Sequence, residues 1–396
     1  MKPILKFIPL LFILFTIGVK SQTLSPKTTV SLITCDEGTE IYSLFGHSAI
    51  RIQDPHNHID FVYNWGMFEF GESELDFQFR FAKGKLKYYM AEELYENFIY
   101  SYQYEQRTVR EQILNLTYQQ KLALWDEIQF NYRPENRYYQ YDFFFDNCST
   151  RISEIFQKVL GDNLIIKELP LANQLTHRQL IDKQVSVSQP WSDFGIDLAL
   201  GSKIDKQTTS NEMQFLPKYL EQSFNLATIK LNDGTVEPFV LSVNELEKGN
   251  SNTSNEVDSW SPLFICWALF FVALFLHLIN LKYLTSTFDA ILFFAFGIGG
   301  VVLVFLWFFT DHQPTKFNYN LLWLNPLHFI TIVSIFSKKL QILFNKFYLF
   351  LAFFYFTIIL FWIAIPQEFN PAFRPLLLIL VLLYYFWYKK TVAKKV

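Results

Sequence analysis

From Trp260 onward the chain is too apolar to fold as an ordinary water-soluble domain. Five apolar runs follow one another: Pro262 to Leu281, Phe288 to Phe309, Leu321 to Phe336, Phe347 to Ile365 and Pro371 to Tyr388. Each is near the roughly 20 residues that a helix needs to cross the hydrocarbon core of a bilayer. The third is the shortest and contains Pro326 and His328, so it is expected to be broken or re-entrant. Most of the 44 phenylalanines fall in this last third, so the chain-wide figure of 51% hydrophobic residues averages two unlike halves.

Basic residues give the orientation. Lys282, Lys338, Lys339, Lys346, Lys389, Lys390, Lys394 and Lys395 fall on one side of the five runs, against Lys316 and Arg374 on the other. Positive charge stays in the cytoplasm, which puts the C-terminus there and the preceding half outside. The N-terminus agrees: Lys2 and Lys6 precede the apolar run Phe7 to Val19, and small residues lie just before Gln22. This pattern predicts a removable signal over residues 1–21, with an uncleaved anchor as the alternative. Residues 22–258 then form an exported domain ending in the polar linker Lys248 to Asp258, and residues 259–396 form the membrane domain. A net charge of -3 is not that of a nucleic-acid binder. The three cysteines form no CxxC or Cys/His cluster, and no metal, nucleotide or other cofactor is expected.

In the exported half, the stretch Tyr141 to Phe156 draws attention first. An aromatic run breaks at Asp146-Asn147, Cys148 follows, and apolar residues recur at Ile152, Ile155, Phe156 and Val159, which is helical spacing. Cys148 therefore opens a helix, where unpaired amides and the positive dipole end favour a thiolate. Papain-like enzymes place their nucleophile in this position. Two structural alternatives remain: a buried small hydrophobe, and a disulfide to Cys35, which an exported protein can form.

A thiol nucleophile needs a base. Thr28 to Thr34 reads as a strand. Phe45-Gly46-His47 then leads into the alternation of Ala49 to Ile52, which places His47 at the start of a second strand. Gly46 lets another backbone or a substrate approach closely. Asp54 to His58 is a turn in which His56 and His58 are solvated, and Ile59 to Trp65 is the returning strand. That hairpin puts Asn64 across from the start of the His47 strand, as the candidate that orients the imidazole, with Tyr63 as the alternative. A histidine strand ahead of a cysteine helix is the order of circularly permuted papain-like proteins.

Further helices are expected over Leu94 to Arg110, from the N-cap Thr117 to Phe130, at Thr176 to Leu180 and from Phe215 to Leu220, with a loop at Trp191 to Gly195. Arg107 and Arg110 suit either an anionic head group or a solvated helix face. The membrane-domain loop Asp311 to Asn320 returns to the side of Cys148. Its polar groups His312, Asn318 and Asn320 are candidates to receive the lipid end of a substrate, with helix capping as the alternative.

A Cys/His pair drives peptide hydrolysis or acyl transfer through the same thioester. A peptidase has no need of five membrane spans, whereas an enzyme whose donor and acceptor are both lipids does. The motifs Phe45 to Arg51 and Asp146 to Arg151, together with Asp311-His312, Asn318, Asn320 and Asn325-Pro326, resemble the Lnb family of bacterial lipoprotein N-acyltransferases. The resemblance implies an α+β permuted papain-like (NlpC/P60-like) periplasmic domain followed by an all-α transmembrane domain of five helices, held in the inner membrane. It also implies transfer of a fatty acyl group, from a phospholipid donor, to the α-amino group of a diacylglyceryl-modified lipoprotein. On this reading Cys148 is the nucleophile and His47 the general base and acid. Asn64 orients the ring, and His312, Asn318, Asn320 and Asn147 contact substrate. The alternatives from other classes are a membrane-anchored cysteine peptidase or amidase acting on cell-wall peptides, and a non-enzymatic membrane-tethered binding protein.

Overall fold

The computed structural model of the chain describes residues 23–69, 73–231, 233–249, 260–279 and 281–392. The expected signal over 1–21 and most of the expected linker, residues 250–258, lie outside the described residues. Among the described residues are ten strands: β1 (Thr29–Cys35), β2 (His47–Asp54), β3 (Ile59–Phe68), β4 (Lys87–Leu94), β5 (Val109–Leu114), β6 (Tyr138–Gln140), β7 (Leu164–Ile165), β8 (Thr228–Lys230), β9 (Val236–Pro238) and β10 (Val240–Glu247). Seven form one antiparallel sheet in the order β10-β5-β1-β2-β3-β4-β6, and β7-β8-β9 form a small second sheet.

Period-two alternation gives the main sheet two apolar faces. Ile50 and Ile52 of β2, with Tyr63 and Trp65 of β3, pack against Ile152, Ile155 and Phe156 of α4 (Cys148–Leu160). The opposite face, from Ile33, Cys35, Ala49, Val62 and Val109, receives Phe98 of α2 (Tyr95–Tyr104). The remaining helices of this half are α1 (Glu74–Ala82), α3 (Tyr118–Tyr132), α5 (His177–Val185), α6 (Pro190–Ala199), α7 (Ser210–Met213) and α8 (Pro217–Leu226). The expected N-cap holds for α3, where Thr117 and Gln120 make reciprocal capping bonds.

Two expectations are corrected. The helix expected to Arg110 ends at Tyr104; Gln106 takes a left-handed φ of 55°, and Val109 begins β5. The expected loop Trp191–Gly195 lies inside α6, where Pro190 occupies the first turn that tolerates it.

The C-terminal half is helical: α9 (Pro262–Ile279), α10 (Lys282–Phe308), α11 (His328–Ile335), α12 (Lys338–Leu343), α13 (Asn345–Leu360) and α14 (Phe373–Val392). By length and composition α9, α10 and α14 can each cross a membrane, and α13 is a shorter apolar helix of 16 residues. The third apolar run is broken, into a 3-10 turn at Tyr319–Leu322 and α11, as the proline at 326 leads one to expect. Gly300 of α10 makes room for the break: a Cβ there would lie 2.4 Å from the backbone of Asn325.

Candidate active site

The sequence Asp146-Asn147-Cys148-Ser149-Thr150 builds the start of α4 tightly. Asn147 Oδ1 accepts from the amides of Ser149 (2.9 Å) and Thr150 (3.0 Å), and Thr150 Oγ1 accepts from the Asn147 amide at 2.8 Å. The Asn147 Nδ2 donates to the carbonyls of Phe143 and Phe215, each at 2.7 Å. Asn147 is 2% exposed and is a helix cap with both ends of its amide engaged. Next to it, Arg151 pairs with Asp146. Ser149 Oγ donates to Ser48 Oγ at 3.0 Å, which ties the helix start to the start of β2.

His47 is the first residue of β2, opposite Cys35 of β1. Gly46 before it has φ 78°, and a Cβ at that position would lie 2.5 Å from the Cys35 carbonyl oxygen, so the close approach is between neighbouring backbones. Asn64 pairs with Ala49 across the hairpin and thus shares a sheet face with His47. The Asn64 Oδ1 lies 3.0 Å from His47 Nε2. Tyr63 points to the other face, where its hydroxyl donates to Glu92 at 2.7 Å.

His47 and Cys148 are close enough for the charge of each to act on the other. Burial alone would lower the His47 pKa, but the adjacent Cys148 and the hydrogen bonds to Cys148 and Asn64 raise it above its ordinary value. Burial alone would push the Cys148 thiol up. The His47 imidazolium, with hydrogen bonds from His47, the Ser48 amide and Ser149, outweighs it and brings the thiol down. These opposite shifts favour a thiolate–imidazolium pair. Cys35 is free rather than bridged to Cys148, and burial pushes its thiol up to about 12.

Glu93 and Tyr139, which the sequence left unremarked, belong here with Tyr141. Glu93 of β4 accepts from Asn64 Nδ2 at 3.5 Å; a carboxylate can only accept, which turns the amide oxygen toward His47. Tyr141 and Tyr139 lie near Cys148, beside Gly66, whose φ of 85° brings bare backbone close to Cys148. The signal for the tyrosines was the aromatic run itself, and for Glu93 there was none beyond its strand.

Of the remaining candidates, His312 lies near enough to Asp142, in the loop that leads to Cys148, for its charge to act on that carboxyl, and the others lie elsewhere. His312 Nε2 bonds to the Phe81 carbonyl at 2.9 Å, and the neighbouring Asp311 amide donates to the Lys83 carbonyl at 3.0 Å. Asn318 and Asn320, 1% and 0% exposed, donate to the last carbonyls of α6 at Asp197, Leu198 and Ala199. Their oxygens accept from the Asn320 amide and from Trp323 Nε1, so neither amide faces a cavity where a lipid could meet it. Arg107 donates twice to the Asp36 carbonyl and pairs with Glu105. Arg110 pairs with Glu221 and Asp36. Both guanidinium groups are engaged by the protein and lie beyond the end of α2, not on a helix face.

A family model described as the Lnb N-terminal periplasmic domain matches residues 19–183, and one described as the Lnb transmembrane domain matches residues 253–395. No curated protein and no solved structure matches the chain.

Proposed function

Because the chain belongs to the Lnb family, and so is a lipoprotein N-acyltransferase-like membrane protein with an α+β periplasmic part and a helical membrane part, we propose that Cys148 and His47 carry a fatty acyl group between lipids. The thiolate attacks the carbonyl carbon of a phospholipid ester. The ester C–O bond breaks, a thioester forms, and His47 gives its proton to the departing glycerol oxygen. The α-amino group of a diacylglyceryl-modified N-terminal cysteine then loses a proton to His47 and attacks the thioester. An amide forms and the thiolate returns. No energy source is needed, because the donor is already an ester.

What supports this reading is the nearness of Cys148 at the start of α4 to His47 at the start of β2, in a periplasmic part that precedes membrane helices. The oxyanion is stabilised by the Cys148 amide; the next two amides of α4 are engaged by Asn147. His312 is the polar-loop residue we assign to substrate, and Asn147, Asn318 and Asn320 act by holding the scaffold. We read the exported part, residues 22–258, as a permuted papain-like (NlpC/P60-like) domain behind a cleaved signal. The membrane part, residues 259–396, crosses the inner membrane five times, with α11 to α13 completing the spans and the C-terminus in the cytoplasm.

The test is mass spectrometry of a reporter lipoprotein's N-terminus, with and without the protein, together with a search for a hydroxylamine-labile acyl group on Cys148. An added N-acyl chain that depends on Cys148 supports the reading. Release of peptides in the absence of lipid overturns it in favour of a peptidase, and full complementation by Cys148→Ser overturns it in favour of a binding role.

A further inference from the structure

Away from Cys148, where α5 and α6 meet the loop ahead of α14, carboxylates converge. Oxygens of Asp182, Asp193 and Asp197 all lie within 4.8 Å of one another, and the three line a cavity of about 630 Å³ that also receives Asp205 and Glu368. Arg178 accounts for part of this charge, donating to Asp197 Oδ1 and Asp205 Oδ1, each at 2.7 Å. Asn370, from the membrane half, donates to Asp193 Oδ2 at 3.0 Å and Asp197 Oδ2 at 3.2 Å.

Two oxygens remain without a donor, Asp182 Oδ1 and Asp193 Oδ1. Asp193 is only 8% exposed, and its carboxyl lies within 4.8 Å of that of Asp182. A buried acceptor with no donor is costly, and two facing carboxylates are held together only by a proton or a cation. One guanidinium against five acidic side chains leaves the cavity strongly negative.

We propose that Asp182, Asp193 and Asp197 bind one divalent cation, and that the cation is Ca²⁺. All the donors are hard oxygens, which excludes a site built for zinc or copper. Ca²⁺ accepts about six to eight oxygens in flexible geometry, whereas Mg²⁺ demands a near-ideal octahedron, which carboxylates already fixed by Arg178 and Asn370 are not free to form. Water in the cavity completes the shell. Because Asn370 holds two of the ligands, the ion fastens the periplasmic half to the membrane half. The proposal does not depend on acyl transfer.

The test uses the full-length protein in detergent, stripped with EDTA, freed of chelator and titrated with CaCl₂ or MgCl₂. Expected are about one bound Ca²⁺ per chain by elemental analysis and a rise in the unfolding midpoint of roughly 5 °C at saturation, with a smaller rise for Mg²⁺. Asp193→Asn and Asp182→Asn, the second at a less buried position, should fold and weaken Ca²⁺ at least tenfold. The proposal is overturned by the absence of retained Ca²⁺ and of any shift, or by equal shifts in both variants. It is also overturned if phosphatidylethanolamine and not Ca²⁺ raises the midpoint, the mark of an ammonium site.

Discussion

Asn64 Oδ1 sits 3.0 Å from His47 Nε2, and this one contact decides which face of the imidazole works. With Asn64 Nδ2 directed at Glu93, the oxygen can only accept, so the ring proton resides on Nε2 and Nδ1 is left for the sulfur. Replacing Asn64 by Ala frees the ring to rotate. Turnover should fall roughly tenfold to hundredfold, a part of the ~10²–10⁴ that a positioned acid–base group contributes, with little change in KM. A steady-state comparison checks this, and an unchanged kcat would remove Asn64 from the site.

The opposite shifts of Cys148 and Cys35 give a chemical contrast that needs no substrate. At about pH 7, iodoacetamide should modify Cys148 at least roughly tenfold faster than Cys35, because only the thiolate reacts. The Cys148 thiol lies below its ordinary value and Cys35 is pushed up to about 12. Lowering the pH suppresses Cys148 only as its own depressed pKa is approached. His47→Ala removes the imidazolium, so the pH midpoint of Cys148 labelling should move upward. Site-resolved mass spectrometry across pH reads both effects.

Asn318 and Asn320 should matter for stability rather than chemistry. Each alanine variant strands buried carbonyls at the end of α6, at a cost of ~1–3 kcal/mol. The unfolding midpoint in detergent should fall, while the alkylation rate of Cys148 stays that of the parent. A slower Cys148 would mean that these asparagines reach the site after all.

Gly300→Ala should be among the most damaging single-methyl changes in the membrane half. Its Cβ would enter the backbone at Asn325, and overpacking of this kind costs ~1–3 kcal/mol. Gly195→Ala is the matched control. Nothing lies within 4 Å of a Cβ at that position in α6, so the change should stabilise by ~0.5–1 kcal/mol. Thermal unfolding of the two variants side by side gives the sign of each.

What the sequence revealed depended on range. The start of α4 was legible because apolar residues recur at helical spacing from Ile152 to Val159 behind the polar break at Asp146-Asn147, and the His47–Asn64 contact because a short turn joins β2 to β3. Glu93 escaped notice because its position next to β3 is set by strand pairing across α1. The occupation of the Ser149 and Thr150 amides was hidden by the rotamer of Asn147, which no pattern encodes. Arg107 misled because a helical run of aromatics precedes it, whereas the left-handed turn at Gln106 that ends the helix has no glycine to announce it. Asn318 and Asn320 looked like lipid contacts because their partners lie more than a hundred residues upstream.

Those partners also set a timetable. Helix α6 leaves the ribosome and the membrane long before residues 318 and 320 are made, so its final turn must wait, solvated, for a loop that arrives between later spans. The periplasmic half released by itself, cut after Lys248, should therefore show rapid amide exchange around Leu200 and Gly201, where the intact protein bonds Gly201 to the Pro314 carbonyl. A loop of the membrane half thus completes a helix end of the periplasmic half.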